Sequence, residues 1–125
     1  LEERVLDLPM READVAIRMK EPAQADLIRK KLMGIRMQLY ASRTYLERAP
    51  KLERIDDIAR HRLICQSPAT PQVSAGATLV QHLLSYEVAG LLTINNYFGV
   101  LQATHSDLGV GVLPDYITED FPDLV

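Results

Sequence analysis

Polar side chains that could recognise a small molecule follow the apolar, β-favouring stretch at residues 91–95. Asn95, Asn96 and Tyr97 stand where this predicted strand gives way to a helix. An asparagine side chain both donates and accepts hydrogen bonds, and the free N–H groups at a helix start suit an anionic or polar ligand. Asparagine is also a favoured N-cap. The pattern therefore predicts capping by one asparagine and leaves ligand contact open for all three residues.

A guanidinium group stands at the end of another predicted strand. Arg18 closes the alternating segment DVAIRM at residues 14–19, just before a polar segment that contains a proline. From a strand end, an arginine could bind a carboxylate through two parallel hydrogen bonds. The alternative is a surface ion pair with Glu21 or Asp26.

A third group of candidates lies in and after the buried-looking strand at residues 61–65. Gln66 and Ser67 follow this strand and could hydrogen-bond the same ligand, or they could form an ordinary polar loop. Cys65 also has two interpretations. A cysteine in an apolar strand is usually a small core residue, whereas at a cleft edge near arginines it could be a thiolate of lowered pKa that senses oxidants.

The remaining polar residues do not form a recognisable enzyme or metal site. The histidines lack cysteine or carboxylate partners at metal-ligand spacing, so we expect no zinc; they are His61, His82 and His105. No serine has the setting of an activated nucleophile. We therefore predict neither a metal, nor a cofactor, nor an enzymatic activity.

Composition limits the class of protein. The chain has 125 residues, 47% hydrophobic, with a net charge of −3 and a pI near 5.6. These values indicate one globular unit and argue against nucleic-acid binding by this segment, since such binders usually carry positive charge. One cysteine fits a reducing, cytoplasmic setting, and no apolar run approaches the ~20 residues that span a bilayer. Because both ends resemble cut sites, with Leu1 in place of Met, we expect a fragment.

Periodicity predicts alternating strands and helices. After the strand at 91–95, apolar residues at helical spacing predict a helix at 97–108, ended by Gly109 in a left-handed conformation, and a strand at 110–113. Upstream, residues 26–41 alternate around Gly34 and predict a hairpin or bent strand. Further predicted elements are a helix at 43–48 capped by Ser42, a short helix near 55–59, and a helix at 71–84. This order is typical of the α/β class.

Four segments in register resemble a known family: ADVAIRM, LYASRTYL, IDDIARHRLI and INNYFGVLQATHSDLGVGVLP. Together they are similar to the effector-binding domain of LysR-type transcriptional regulators. The resemblance implies a periplasmic-binding-protein-like fold, in which two Rossmann-like subdomains hold an effector in the cleft between them. Residues 1–19 would end the first subdomain, 20–114 would form the second, and 115–125 would lead back to the first.

The resemblance also implies a role and partners. A small polar or carboxylate effector would bind in the cleft, which Arg18 would border. Promoter DNA would bind an N-terminal winged helix-turn-helix absent from this chain, and the protein would form a homodimer or homotetramer. The helix at 97–108 would pack on a partner through residues including Phe98, Leu101, Gln102 and His105. Two alternatives remain, a redox regulator acting through Cys65 and a solute-binding protein of a transport system.

Overall fold

One mixed β-sheet with helices on both faces forms the described part of the chain. The structure is a computed structural model that describes residues 28, 30–67 and 77–125. The elements, in chain order, are β1 Met37–Tyr40, α1 Arg43–Arg48, a 3-10 helix Ile55–Arg60, β2 Arg62–Gln66, α2 Ala77–Leu84, β3 Gly90–Ile94, α3 Tyr97–His105, β4 Val110–Pro114 and a second 3-10 helix Asp115–Thr118. Among these helices, none is long and apolar enough to cross a bilayer.

The sheet has the order β1-β4-β2-β3. β2 lies between β4 and β3 and is parallel to both, while β1 runs antiparallel to β4 at one edge. The chain therefore leaves β3, forms α3, and returns two strands away as β4. This confirms the predicted strand–helix–strand unit, with β2 inserted between its two strands.

The strand side chains alternate between two apolar clusters, one on each face of the sheet. The α2 face takes Leu63 and Cys65 of β2, and the α3 face takes Ile64 between them. Buried members of the α2-face cluster are Ala41, Ile58, Leu63, Cys65, Val80, Leu83, Val110 and Val112. Those of the α3-face cluster are Ile64, Tyr97, Val100, Leu101, Ala103, Leu113 and Leu124. A period of two along buried strands places a core on both sides of the sheet.

Glycine at position 111 lets α3 approach β4 closely. A Cβ atom there would lie 2.0 Å from Oγ1 of Thr104, which is buried and donates a hydrogen bond of 2.7 Å to the carbonyl of Val100. No side chain larger than hydrogen fits without displacing the helix or Thr104. The contact therefore fixes the distance between α3 and the sheet.

Two short helices depend on side-chain caps. Ser42 accepts a hydrogen bond of 3.0 Å from the N–H of Tyr45, which confirms the predicted cap of α1. Asp57 caps the 3-10 helix before β2, because its carboxylate accepts the backbone N–H groups of Arg54 and Glu53 at 2.9 and 3.0 Å. These hydrogen bonds, chiefly the one from Arg54, lower the pKa of Asp57.

Two local predictions are wrong. The hairpin or bent strand at 26–41 is replaced, within its described residues, by β1 alone, whose partner is β4 rather than an adjacent segment. Helix α3 ends at His105, and the residue with positive φ after it is Asp107, at 66°, not Gly109. Gly109 is needed for another reason, since a Cβ there would lie 2.4 Å from the carbonyl oxygen of Arg62. The predicted start of α2 at residues 71–76 lies outside the described residues.

We predict that Gly111→Ala lowers the free energy of unfolding by roughly 2 kcal/mol, the usual cost of overpacking a core. Urea unfolding followed by circular dichroism measures this. Adding Thr104→Ala should restore part of the loss, because it removes the clashing oxygen. The control is Gly34→Ala, where a Cβ would meet nothing within 4 Å. Equal stability of the two alanine variants would contradict the proposed contact.

Candidate functional site

The polar residues predicted at two strand ends lie beside each other at the carboxyl edge of the sheet. β2 ends at Gln66 and β3 at Ile94, which are opposite each other in the parallel register. The N–H of Ser67 donates to the carbonyl of Ile94 at 2.8 Å, and Nε2 of Gln66 donates to the carbonyl of Asn95 at 3.4 Å. Gln66 is only 4% exposed, so its amide is largely shielded from solvent. Residues 29 positions apart in sequence thus form one polar rim.

This rim lies where the chain leaves neighbouring strands toward opposite faces. α2, which follows β2, packs on the α2-face cluster through Val80 and Leu83. α3, which follows β3, packs on the other cluster through Val100 and Leu101. Divergence of this kind opens a crevice between the carboxyl ends of two parallel strands, which is where α/β sheets usually bind ligands.

The two asparagines form a pair at the start of α3. Asn96 has extended backbone angles, φ −147° and ψ 157°, and its Oδ1 accepts the N–H of Gly99 at 2.8 Å. Its Nδ2 donates to Oδ1 of Asn95 at 2.9 Å. The prediction of one capping asparagine is therefore confirmed for Asn96. Asn95 is exposed at the strand end.

Two other predicted site residues lie differently. Tyr97 is 8% exposed, and its ring belongs to the α3-face cluster, so it contributes mainly to the core. Arg18 lies outside the described residues. The described rim therefore comprises Gln66, Ser67, Asn95 and Asn96.

Comparison with known proteins now identifies the family. The family model described as "LysR substrate binding domain" matches residues 2–125, almost the entire chain. The chain belongs to this LysR family. The predicted resemblance and the α/β, periplasmic-binding-protein-like fold class are both confirmed. Among curated protein sequences, none matches.

Solved structures of LysR-type regulators have the same fold. The regulatory domain of CrgA from Neisseria meningitidis matches with a TM-score of 0.66 and 15% identity over 86% of this chain and 54% of that one. Full-length AphB from Vibrio cholerae matches with a TM-score of 0.60 and 20% identity, over 83% of this chain and 36% of that one. The CcmR regulatory domain from Synechocystis PCC6803, in complex with 2-PG, matches with a TM-score of 0.56 and 16% identity. This match covers 85% of this chain and 52% of that one. The chain therefore spans about half the length of the regulatory domains that it matches.

In this LysR-family domain, Cys65 is a core residue. It has 0% exposed surface and lies on the α2 face of the central strand β2. Burial raises the pKa of its thiol, because a thiolate loses its hydration there. Burial and a raised pKa favour the alternative of a small core residue over that of an accessible thiolate with lowered pKa.

The predicted dimer face needs one correction. Phe98 is 60% exposed, and Gln102 and His105 are also exposed, so these three share the outward side of α3. Leu101 is only 3% exposed and packs into the α3-face cluster. Leu101 thus points toward the sheet and cannot contribute to an outward surface. Leu108, the last residue of the predicted helix, is exposed beyond the end of α3.

Two of the histidines contact side chains of other elements. Nδ1 of the buried His61 lies 2.6 Å from the hydroxyl of Tyr45, while its buried Nε2 has no hydrogen-bond partner among the described residues. His105 Nε2 lies 3.3 Å from a carboxylate oxygen of Asp123. Across the described part of the chain, no three side chains of His, Cys, Asp or Glu come together as a metal site.

A cavity that sequence reasoning did not indicate lies at the opposite end of the sheet. Its volume is about 400 Å³, and it is bounded by the end of β1 and the start of β4. Its lining is mostly aliphatic: Leu39, Tyr40, Ala41, Leu46, Leu52, Glu53, Arg54, Ile55, Val110 and Val125. Of the predicted site residues that the structure describes, none contributes to it. The polar rim and this cavity are separate features.

We predict that Cys65 reacts with a thiol reagent such as DTNB at least roughly a hundredfold more slowly in the native protein than in urea, because reaction requires opening of the core. Absorbance at 412 nm follows the reaction. The matched control is Cys65→Ala combined with Ser85→Cys, which places a thiol in an exposed turn. This control should react at once in the native protein. A native Cys65 that reacts as fast as the control would restore the redox hypothesis.

Proposed function

We propose that this chain is the effector-sensing and dimerisation part of a LysR-type transcription factor. The observation that carries the proposal is the convergence of Gln66, Ser67, Asn95 and Asn96 at the crevice between β2 and β3. Such a rim offers hydrogen-bond donors and acceptors at the usual ligand position of an α/β sheet. A small polar molecule, such as a carboxylate, fits this chemistry.

In this proposal, residues 20–114 form the second of two subdomains, residues 1–19 end the first, and residues 115–125 lead back to it. The effector binds in the cleft between the subdomains. Arg18, in the segment assigned to the end of the first subdomain, borders the cleft and pairs with an anionic group of the effector. The family membership and the rim at the sheet edge support this division.

Two features favour an anionic or strongly polar effector. Asn96, a residue of the rim, is the N-cap of α3, so the positive end of the helix dipole lies at the rim. The exposed amide of Asn95 adds a donor there. The structure of the CcmR regulatory domain contains bound 2-PG, and 2-PG is therefore a reasonable first probe of this chain.

The output of the proposed regulator is a change in DNA contacts. Promoter DNA binds through an N-terminal winged helix-turn-helix of the longer protein, in the cytoplasm, and the protein acts as a homodimer or homotetramer. The net charge of −3 supports DNA binding outside the present chain. An effector that binds one arrangement of subunits about tenfold more tightly shifts their equilibrium by about 1.4 kcal/mol.

For the dimer, we propose that the outward face of α3 is part of the interface. Phe98, Gln102 and His105 recur at helical spacing on this face, and Phe98 exposes a large aromatic ring to solvent. Exposed aromatic residues beside polar ones are typical of interface centres. The same helix thus carries the polar rim at its N-terminus and the proposed dimer contact along its side.

The effector site is tested by Asn95→Asp. In a thermal-shift screen of metabolites that includes 2-PG, the natural protein should show an effector-induced rise in melting temperature. We predict that Asn95→Asp weakens binding of an anionic effector at least tenfold, because the new carboxylate repels it. Titration calorimetry measures the change. Asn95 suits this test better than Asn96, since Asn96 caps α3 and its loss would cost about 1 kcal/mol of stability.

The control for charge is Gln81→Glu, which places the same charge on the exposed side of α2, away from the rim. This variant should bind the effector as the natural protein does. If Asn95→Asp retains full affinity for every effector that the screen finds, the rim is not the binding site.

The dimer proposal is tested by Phe98→Ala. Loss of a central aromatic contact should raise the dimer dissociation constant at least roughly tenfold. Sedimentation velocity over a range of concentrations measures it. Ile55→Ala is the control, because Ile55 is similarly exposed but lies on the 3-10 helix before β2, away from α3. An unchanged dissociation constant in Phe98→Ala would exclude this face as the interface.

A further inference from the structure

The end of the chain pairs with the segment that precedes α1. The N–H of Ala41 donates to the carbonyl of Val125 at 3.1 Å, and the N–H of Val125 donates back at 3.0 Å. The N–H of Arg43 donates to the carbonyl of Asp123 at 2.9 Å. Residues 41–43 and 123–125 thus form a short antiparallel pairing. In the proposed function, residues 123–125 belong to the segment that returns to the first subdomain.

Ser42, at the centre of this pairing, also holds the turn that follows α3. Its hydroxyl donates to Oδ1 of Asp107 while accepting the N–H of Tyr45. Asp107 has positive φ, and its carbonyl accepts a hydrogen bond of 3.0 Å from the guanidinium of Arg48. Ser42 is only 1% exposed, so water competes poorly for these contacts.

A second connection runs from the last turn of α3 to the returning segment. His105 Nε2 lies 3.3 Å from Oδ2 of Asp123, and its ring meets the edge of Phe121 with centroids 5.2 Å apart. The carboxyl end of α3 is therefore attached to both strands of the pairing, to 41–43 through Asp107 and to 123–125 through His105.

We propose that Ser42 and Asp107 form a clasp that makes α3 and the returning segment 123–125 open and shift as one unit. Ser42 is then a positioning residue that transmits movement of the returning segment to the dimer face of α3. The inference rests on the proposed function only where it links this movement to the effector and the dimer. The mechanical coupling is a property of the chain itself.

The test is hydrogen–deuterium exchange, followed by mass spectrometry on the whole chain, of Asp107→Gly and Asp107→Asn. Glycine adopts the positive φ freely but lacks the acceptor, whereas asparagine tolerates this φ and keeps Oδ1. Asp107→Gly should raise exchange roughly fivefold, the scale of one lost hydrogen bond, both at residues 106–108 and at the amides of Ala41, Arg43 and Val125. Asp107→Asn should exchange nearly as the natural protein does.

Ser42→Ala approaches the clasp from its other side and should raise exchange in the same two regions. Amides of the central strand β2 serve as the internal reference and should stay at their natural rates in every variant. Faster exchange at 106–108 alone would overturn the coupling, and so would an equal rise in β2, which signals general destabilisation. Failure of the effector or dimer tests leaves this outcome unaffected, so the two proposals can fail separately.

Discussion

The close contact between α3 and β4 sets the position of the polar rim and of the proposed dimer face. Because position 111 is glycine, the backbone of β4 touches the side chain of Thr104, and the helix cannot rotate without opening this contact. A helix seated in this way presents Val100 and Leu101 to the sheet. Its N-terminus then lies at the carboxyl edge of β2 and β3, and Phe98 faces outward. The rim and the proposed dimer face are consequences of one packing distance.

The parts of the fold that the sequence predicted correctly depend on short-range chemistry. Ser42 before α1 and Asn96 before α3 are caps, and a cap requires only a side-chain oxygen two or three residues before the N–H that it accepts. The strand β2 follows from a short apolar run between two polar segments. The ends of β2 and β3 could also be expected to meet, since parallel strands place their carboxyl ends at one edge.

The errors arose where a distant partner decides the structure. Residues 37–40 have the alternation of a hairpin strand, but their partner is β4, more than 70 residues later. Gly109 has the sequence signal of a left-handed helix stop, but glycine is needed there because a Cβ would clash with a backbone carbonyl of β2. Asp107 takes the left-handed position instead. The orientation of Leu101 likewise depends on which side of α3 meets the sheet. Helical spacing groups residues into faces, but only packing selects the face that is buried.

Helix α3 is short enough for one hydrogen bond at either end to matter to the other end. At 1.5 Å per residue, its nine residues separate Asn96 from the turn at Asp107 by only about 15 Å, without a flexible joint between them. A hydrogen bond gained or lost at either end contributes about 1 kcal/mol net, and this is the size needed to change an equilibrium severalfold. The proposed transmission through this helix therefore requires no large rearrangement. It requires that both ends be fastened, the first by the Asn96 cap and the second by Ser42 through Asp107.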